Sequence, residues 1–229
     1  MKLLSVGQDS KTKKSVKKGF LTGIMYLAPS NQAKVINTCP FASAGCRIAC
    51  LYTAGMAGRF KKINEARVKR TLLFKENQNA FLAKLDLEIR ALIRKAKREK
   101  LIPCVRLNGT SDISWENFGI FENHKQIQFY DYTKNPKRFA SNSKANSYSN
   151  YHLTFSRSES NDKAVSQVLK NGGNVAVVFK KELPKTYLNR KVVSGDENDL
   201  RFLDEENVIV GLKAKGDAKK DKSGFVVLN

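Results

Sequence analysis

The chain reads as an α/β domain built on a mostly parallel sheet, and three observations predict it. Short apolar runs, residues 175–179 and 208–212 among them, have the composition of strands buried on both faces. Helix-length amphipathic stretches lie between such runs, so strands and helices alternate along the sequence. Each candidate strand also ends in polar residues, as strands do where a ligand-binding edge follows their carboxyl ends. A length of 229 residues suits one domain with a full core, and a hydrophobic fraction of 41% is enough to fill it. No apolar run approaches the roughly 20 residues needed to span a bilayer, which argues against a membrane partner. With no signal-peptide pattern and a Lys-rich composition, the chain is expected in the cytoplasm.

The elements follow in order. Residues 1–19 are polar and basic, with Lys11, Lys13, Lys14, Lys17 and Lys18 close together, and read as an N-terminal arm that is mobile when free. Residues 20–229 read as one domain. Residues 20–28 are an apolar run stopped by Pro29, consistent with a buried first strand. A cysteine-rich loop follows, then a turn at Gly55 and Gly58. Residues 64–100 are helical: Val68, Leu72, Leu82, Leu85, Ile89 and Ile93 recur at helix spacing, and residues 77–79 split the stretch in two. Beyond Pro103, residues 104–108 alternate with period two, and residues 126–131 and 151–156 are the next strands. Asn135 and Pro136 mark a turn, and residues 161–171 a helix closed by Gly172 and Gly173.

One face of several strands is polar: Arg106 and Asn108, then Gln128 and Tyr130, then His152, Thr154 and Ser156. A closed eight-stranded barrel fills its interior with branched apolar residues, so a polar face implies a wet or ligand-filled chamber. The other reading is an open sheet with one wetted face.

Cys39, Cys46 and Cys50 are spaced C-x6-C-x3-C in the loop after the first strand. Three readings stay open. Zinc usually takes four ligands in tight C-x2-C pairs, and neither spacing here is of that kind. An iron–sulfur cube is larger, so longer spacings can wrap it, and three thiolates leave one iron open. Buried structural thiols are the third reading. Cys104 starts the strand that Asn108 ends, about 13 Å away along the strand, so it reads as an inert buried thiol. His124 reads as a surface or loop residue, and His152 as a residue of the far rim. Residues 195–204 are acidic in a basic chain. Asp196, Glu197 and Asp199 there could bind a cation or amine, or pair with Arg201 and Lys191.

A strand, a three-cysteine loop, a helix and repeated strand–helix units resemble the radical S-adenosylmethionine (SAM) superfamily. That resemblance implies a partial (β/α)6 barrel of the TIM type. It implies a [4Fe-4S] cluster on Cys39, Cys46 and Cys50, with SAM on the fourth iron and an electron donor as partner. It further implies a chamber lined by Asn108, Asp112, Tyr130 and Ser156. There Ser111 and Asp112 would meet the SAM ammonium, and Arg157 or Lys213 its carboxylate. The superfamily loop is C-x3-C-x2-C and its second strand ends in a Gly-Gly-Glu-like turn, where this chain has residues 108–112. The whole chain also resembles the phage-encoded gene product 88 family, at residues 38–52, 106–112, 195–204 and 208–216. The function expected is a phage-encoded cluster-binding redox enzyme acting in the host cytoplasm. The alternative is a non-catalytic iron–sulfur or zinc protein that binds nucleic acid through its formal net charge of +21. A Lys-rich solvated surface accounts for the same charge without a partner.

Overall fold

The first 19 residues, expected as a basic arm, contribute to the sheet. In the computed structural model, which describes residues 1–7 and 10–228, Leu3 and Leu4 are buried. Strand β1 (Leu4–Val6) pairs antiparallel with β2 (Phe20–Met25), and helix α1 (Ser10–Val16) links them. Glu88 accepts the Leu3 and Leu4 amides at 2.8–2.9 Å. Two leucines anchor the segment, while Lys13, Lys14, Lys17 and Lys18 stay exposed.

After β2 come the short helices α2 (Ala44–Ile48) and α3 (Gly55–Arg59), then α4 (Lys61–Glu76) and α5 (Gln78–Glu99). The break between the long helices falls at Asn77, whose side chain accepts the Ala80 amide at 3.0 Å as an N-cap. Helix α5 buries Phe81, Leu85, Ile89, Leu92 and Ala96, a stripe facing the sheet. A Cβ on Gly23 of β2 would meet Leu92 at 3.1 Å, so the glycine sets how closely helix and sheet approach.

The remaining elements are β3 (Ile102–Arg106), α6 (Ile120–Asn123), β4 (Gln128–Thr133), β5 (Tyr151–Ser156), α7 (Asp162–Lys170) and β6 (Val175–Phe179). They are followed by β7 (Thr186–Tyr187), β8 (Arg190–Ser194), β9 (Ile209–Lys213) and β10 (Val226–Val227). The ten strands of the described residues form one sheet in the order β1-β2-β3-β4-β5-β6-β9-β8-β7, with β10 beside the end of β6. Pairing is parallel from β2 through β8 and antiparallel at the β1–β2 and β7–β8 edges. No pairing joins β1 to β7 among the described residues, so the sheet is not closed.

One core lies between α4, α5 and the first four strands, with Phe74, Phe81, Trp115 and Phe129 in it. A second lies between α7 and β5, β6 and β9. The opposite face is polar, as the alternation predicts. The turn at residues 201–203 crosses that face, setting Phe202 against Phe20 and Tyr130 at ring distances of 5.3 and 5.5 Å. No helix among the described residues is long and apolar enough to cross a membrane.

Candidate functional site

The carboxyl ends of β3, β4, β5 and β9 open onto one cavity of about 280 Å³, and all three loop cysteines line it. The loop is built to bring them there. Thr38 Oγ1 donates to the Ala28 carbonyl at 2.6 Å, and the Thr38 carbonyl accepts the Asp112 amide at 2.8 Å. These two bonds stitch the loop to the ends of β2 and β3. The Cys39 thiol then points at the Thr110 carbonyl, 3.6 Å away. Cys46 lies on α2, and Cys50 lies just past the end of that helix in extended backbone, capping the turn at residues 51–53.

Ser43 caps α2, accepting the Cys46 amide at 3.2 Å. Its hydroxyl donates to Glu159, which also accepts the Gly45 amide, both at 2.7 Å. Burial works against the Glu159 charge, but those two bonds outweigh it and hold the carboxyl below its ordinary range. Nothing local in the sequence marks Glu159; it stands 116 residues from the serine it meets.

Burial raises the Cys39 thiol to about 11. It raises Cys50 as well, although Arg67 and Lys134 pull Cys50 back down. Without a metal these are protonated thiols; a bound cation would deprotonate them. Among the described residues no group of three or more His, Cys, Asp and Glu is arranged to hold a single metal ion. The thiols border a cavity instead, with the small side chains Ala42 and Ala49 between them. A second depression, of about 450 Å³, is bordered by Pro29, Asn31, Arg47 and Tyr52 and shares Cys39, Cys46 and Cys50 with the first.

The other expected site residues fare differently. Asn108, Ser111, Asp112, Ser156 and Lys213 line the cavity. Asn108, however, is committed to its own loop: Oδ1 accepts from Ser111, the Ile113 amide and the Trp115 indole, and Nδ2 donates to Ile113 and Asp131. Asp112 accepts the Lys134 amide at 2.8 Å and lies 3.4 Å from Arg138, so its carboxylate is already matched. Lys213 pairs with Glu182 at 2.9 Å.

Two residues expected in the chamber do not line the cavity. Tyr130 is fully buried beneath it, among Cys104, Leu200 and Phe202, because the turn after β8 covers that face. Arg157 turns away to the Gly224 carbonyl at 2.6 Å and to Asp162 at 3.4 Å, anchoring the segment before β10.

Cys104 is buried with its thiol 3.2 Å from Thr22 Oγ1. His124, expected at the surface, is buried, and its Nε2 meets Asp86 at 2.8 Å because α5 packs over it. His152 lies on the polar face without a hydrogen-bond partner at Nε2. In the acidic segment Asp196 pairs with Lys215 at 2.5 Å and Asp199 with Arg106 at 2.7 Å. Arg201 takes Asp204 at 3.1 Å and Lys191 takes Glu205 at 2.6 Å, so the segment is an ion-pair network with partners other than those its neighbours suggest.

A mostly parallel α/β sheet whose carboxyl edge carries a cavity walled by three thiols defines the class of protein. The chain belongs to the gene product 88 family, whose model matches residues 2–229. No curated protein and no solved structure matches it, and the radical SAM likeness has no counterpart in these comparisons.

Proposed function

We propose that this protein binds a [4Fe-4S] cluster through Cys39, Cys46 and Cys50 and uses the adjoining cavity for SAM and a small-molecule substrate. One observation carries the reading: three thiols from one loop and its short helix line the same cavity where the polar ends of four strands converge. The C-x6-C-x3-C spacing, longer than the tight C-x2-C pairs of a zinc site, suits the larger cube better than a single ion. When bound, such a cluster supplies one-electron transfer, and an iron without a protein thiolate leaves a place for a ligand. The residues around it hold the thiols in place: Thr38 and Glu159 fix the loop, and Arg67 and Lys134 favour the Cys50 thiolate. An electron donor acting from outside is part of the same proposal.

Anaerobic reconstitution with iron and sulfide tests it. A broad visible absorption, with iron and sulfide in equal amounts, is the expected result. Changing Cys39, Cys46 or Cys50 to Ala should abolish the colour, whereas Cys104→Ala should keep it. Production of 5′-deoxyadenosine from SAM under dithionite tests the cofactor separately. A colourless protein that binds one zinc would replace the proposal with the zinc reading. The non-catalytic alternative, a cluster protein that binds nucleic acid, draws on the net charge of +21.

A further inference from the structure

The floor of the cavity carries donors that make no hydrogen bond to the loop cysteines. Arg106, Tyr132, Lys134 and Ser156 all line it, from the ends of the adjacent parallel strands β3, β4 and β5. Tyr132 stands opposite Thr154 in the β4–β5 register, so Lys134 and Ser156, each two residues further, point the same way. Lys134 Nζ donates to Ser156 Oγ at 2.6 Å and lies 5.4 Å from the Phe225 ring centre. An ammonium has three hydrogens, and a serine that accepts with its oxygen keeps its own hydrogen to give.

Arg106 gives Nη1 to Asp199, but its Nε has no hydrogen-bond partner, and neither has the Tyr132 hydroxyl; both atoms are buried. The guanidinium lies 4.6 Å from the Tyr132 ring centre. Burial pushes the Tyr132 phenol far up, so it keeps its proton. Of the nearby carboxylates, Asp199 is matched by Arg106 and Asp196 by Lys215, while Asp112 shares Arg138 with Glu116, which holds it more closely at 2.7 Å against 3.4 Å. Lys134 has no carboxylate partner among the described residues. The floor therefore offers the Lys134 ammonium, with no carboxylate at ion-pair distance among the described residues, and the Ser156 hydroxyl, with the unpartnered Arg106 Nε–H and Tyr132 hydroxyl buried beneath them.

We propose that Arg106, Tyr132, Lys134 and Ser156 form an oxyanion subsite that takes the carboxylate of a small-molecule ligand. A single positive charge matches a carboxylate better than a phosphate dianion. The subsite shares the cavity of the cluster reading but does not depend on a metal. On that reading the carboxylate is that of SAM, and Lys134 takes the role expected of Arg157 or Lys213.

The test uses full-length, cluster-free protein titrated with isotope-labelled acetate, inorganic phosphate and chloride at equal ionic strength, followed by NMR. Saturable acetate binding should weaken about tenfold or more in Lys134→Gln, the loss of one charge-assisted bond. Tyr132→Phe, which removes one hydroxyl from an otherwise unchanged ring, should weaken it about threefold or more. Equal acetate binding in the wild type and both variants, no saturable acetate binding, or binding of phosphate alone would overturn the proposal. In the reconstituted protein, Lys134→Gln should weaken SAM about tenfold and leave decarboxylated SAM unchanged. Wild-type protein that binds acetate but not SAM overturns the SAM reading and supports the subsite.

Discussion

His152 shows what burial on the polar face does to one side chain. It lies on β5 in register with Tyr130, and its Nε2 is buried without a partner. Burial, reinforced by Arg201, depresses the imidazole to about 4. The unfolded chain takes this proton near pH ~6.5, whereas the fold refuses it until about 4. The neutral ring therefore contributes stability above the unfolded value, and that contribution is lost as pH falls through the folded one. Asp131 and Asp204, which burial raises to about 7 and about 6, act in the opposite sense. The readout is thus a difference between proteins and not one raw profile. In urea unfolding, the advantage of the wild type over His152→Gln should shrink by up to about 3 kcal/mol between pH ~7 and ~4. Parallel profiles would mean that the histidine has water around it.

Helix α2 is only five residues long, and its seat depends on a missing side chain. A Cβ on Gly45 would lie 2.1 Å from Ser223 Oγ and 2.8 Å from the Phe225 Cβ. Gly45→Ala should destabilise the fold by about 1–3 kcal/mol through displacement of Cys46 and, on the proposed reading, lower cluster uptake. Unchanged unfolding and iron content would show that the C-terminal segment yields freely. Long elements were legible because periodicity accumulates: Leu85 and Ile89 announce α5, Asn77 announces its start, and the apolar runs announce β6 and β9. β7 and β10 are two residues each and β1 is three, too short for any period, and β1 lies in a lysine-rich context. The cavity followed the same logic. Three thiols and the polar strand ends could be seen together. That Asp112 was already spent could not, because its partner Lys134 is 22 residues away.

Across the whole molecule the formal net charge of +21 exceeds anything the internal ion pairs need. Lys13, Lys14, Lys17 and Lys18, and many Lys and Arg positions of α4 and α5, are exposed and face solvent. Such a surface should attract nucleic acid without regard to sequence, because each phosphate contact releases counterions. Duplex and single-stranded oligonucleotides titrated at increasing salt should give an affinity that falls linearly on a double-logarithmic plot. Absence of association at low salt would leave the lysines as solvation alone.

The three thiols belong to two depressions at once, one at the strand ends and one bordered by Pro29, Arg47 and Tyr52. The loop is thus a party wall, with a room on one side and a street on the other. On the proposed cluster reading, iron, sulfide or an electron would arrive from the street while the room is occupied. Delivery and use then need not take turns, and neither visitor has to leave for the other to reach the sulfurs.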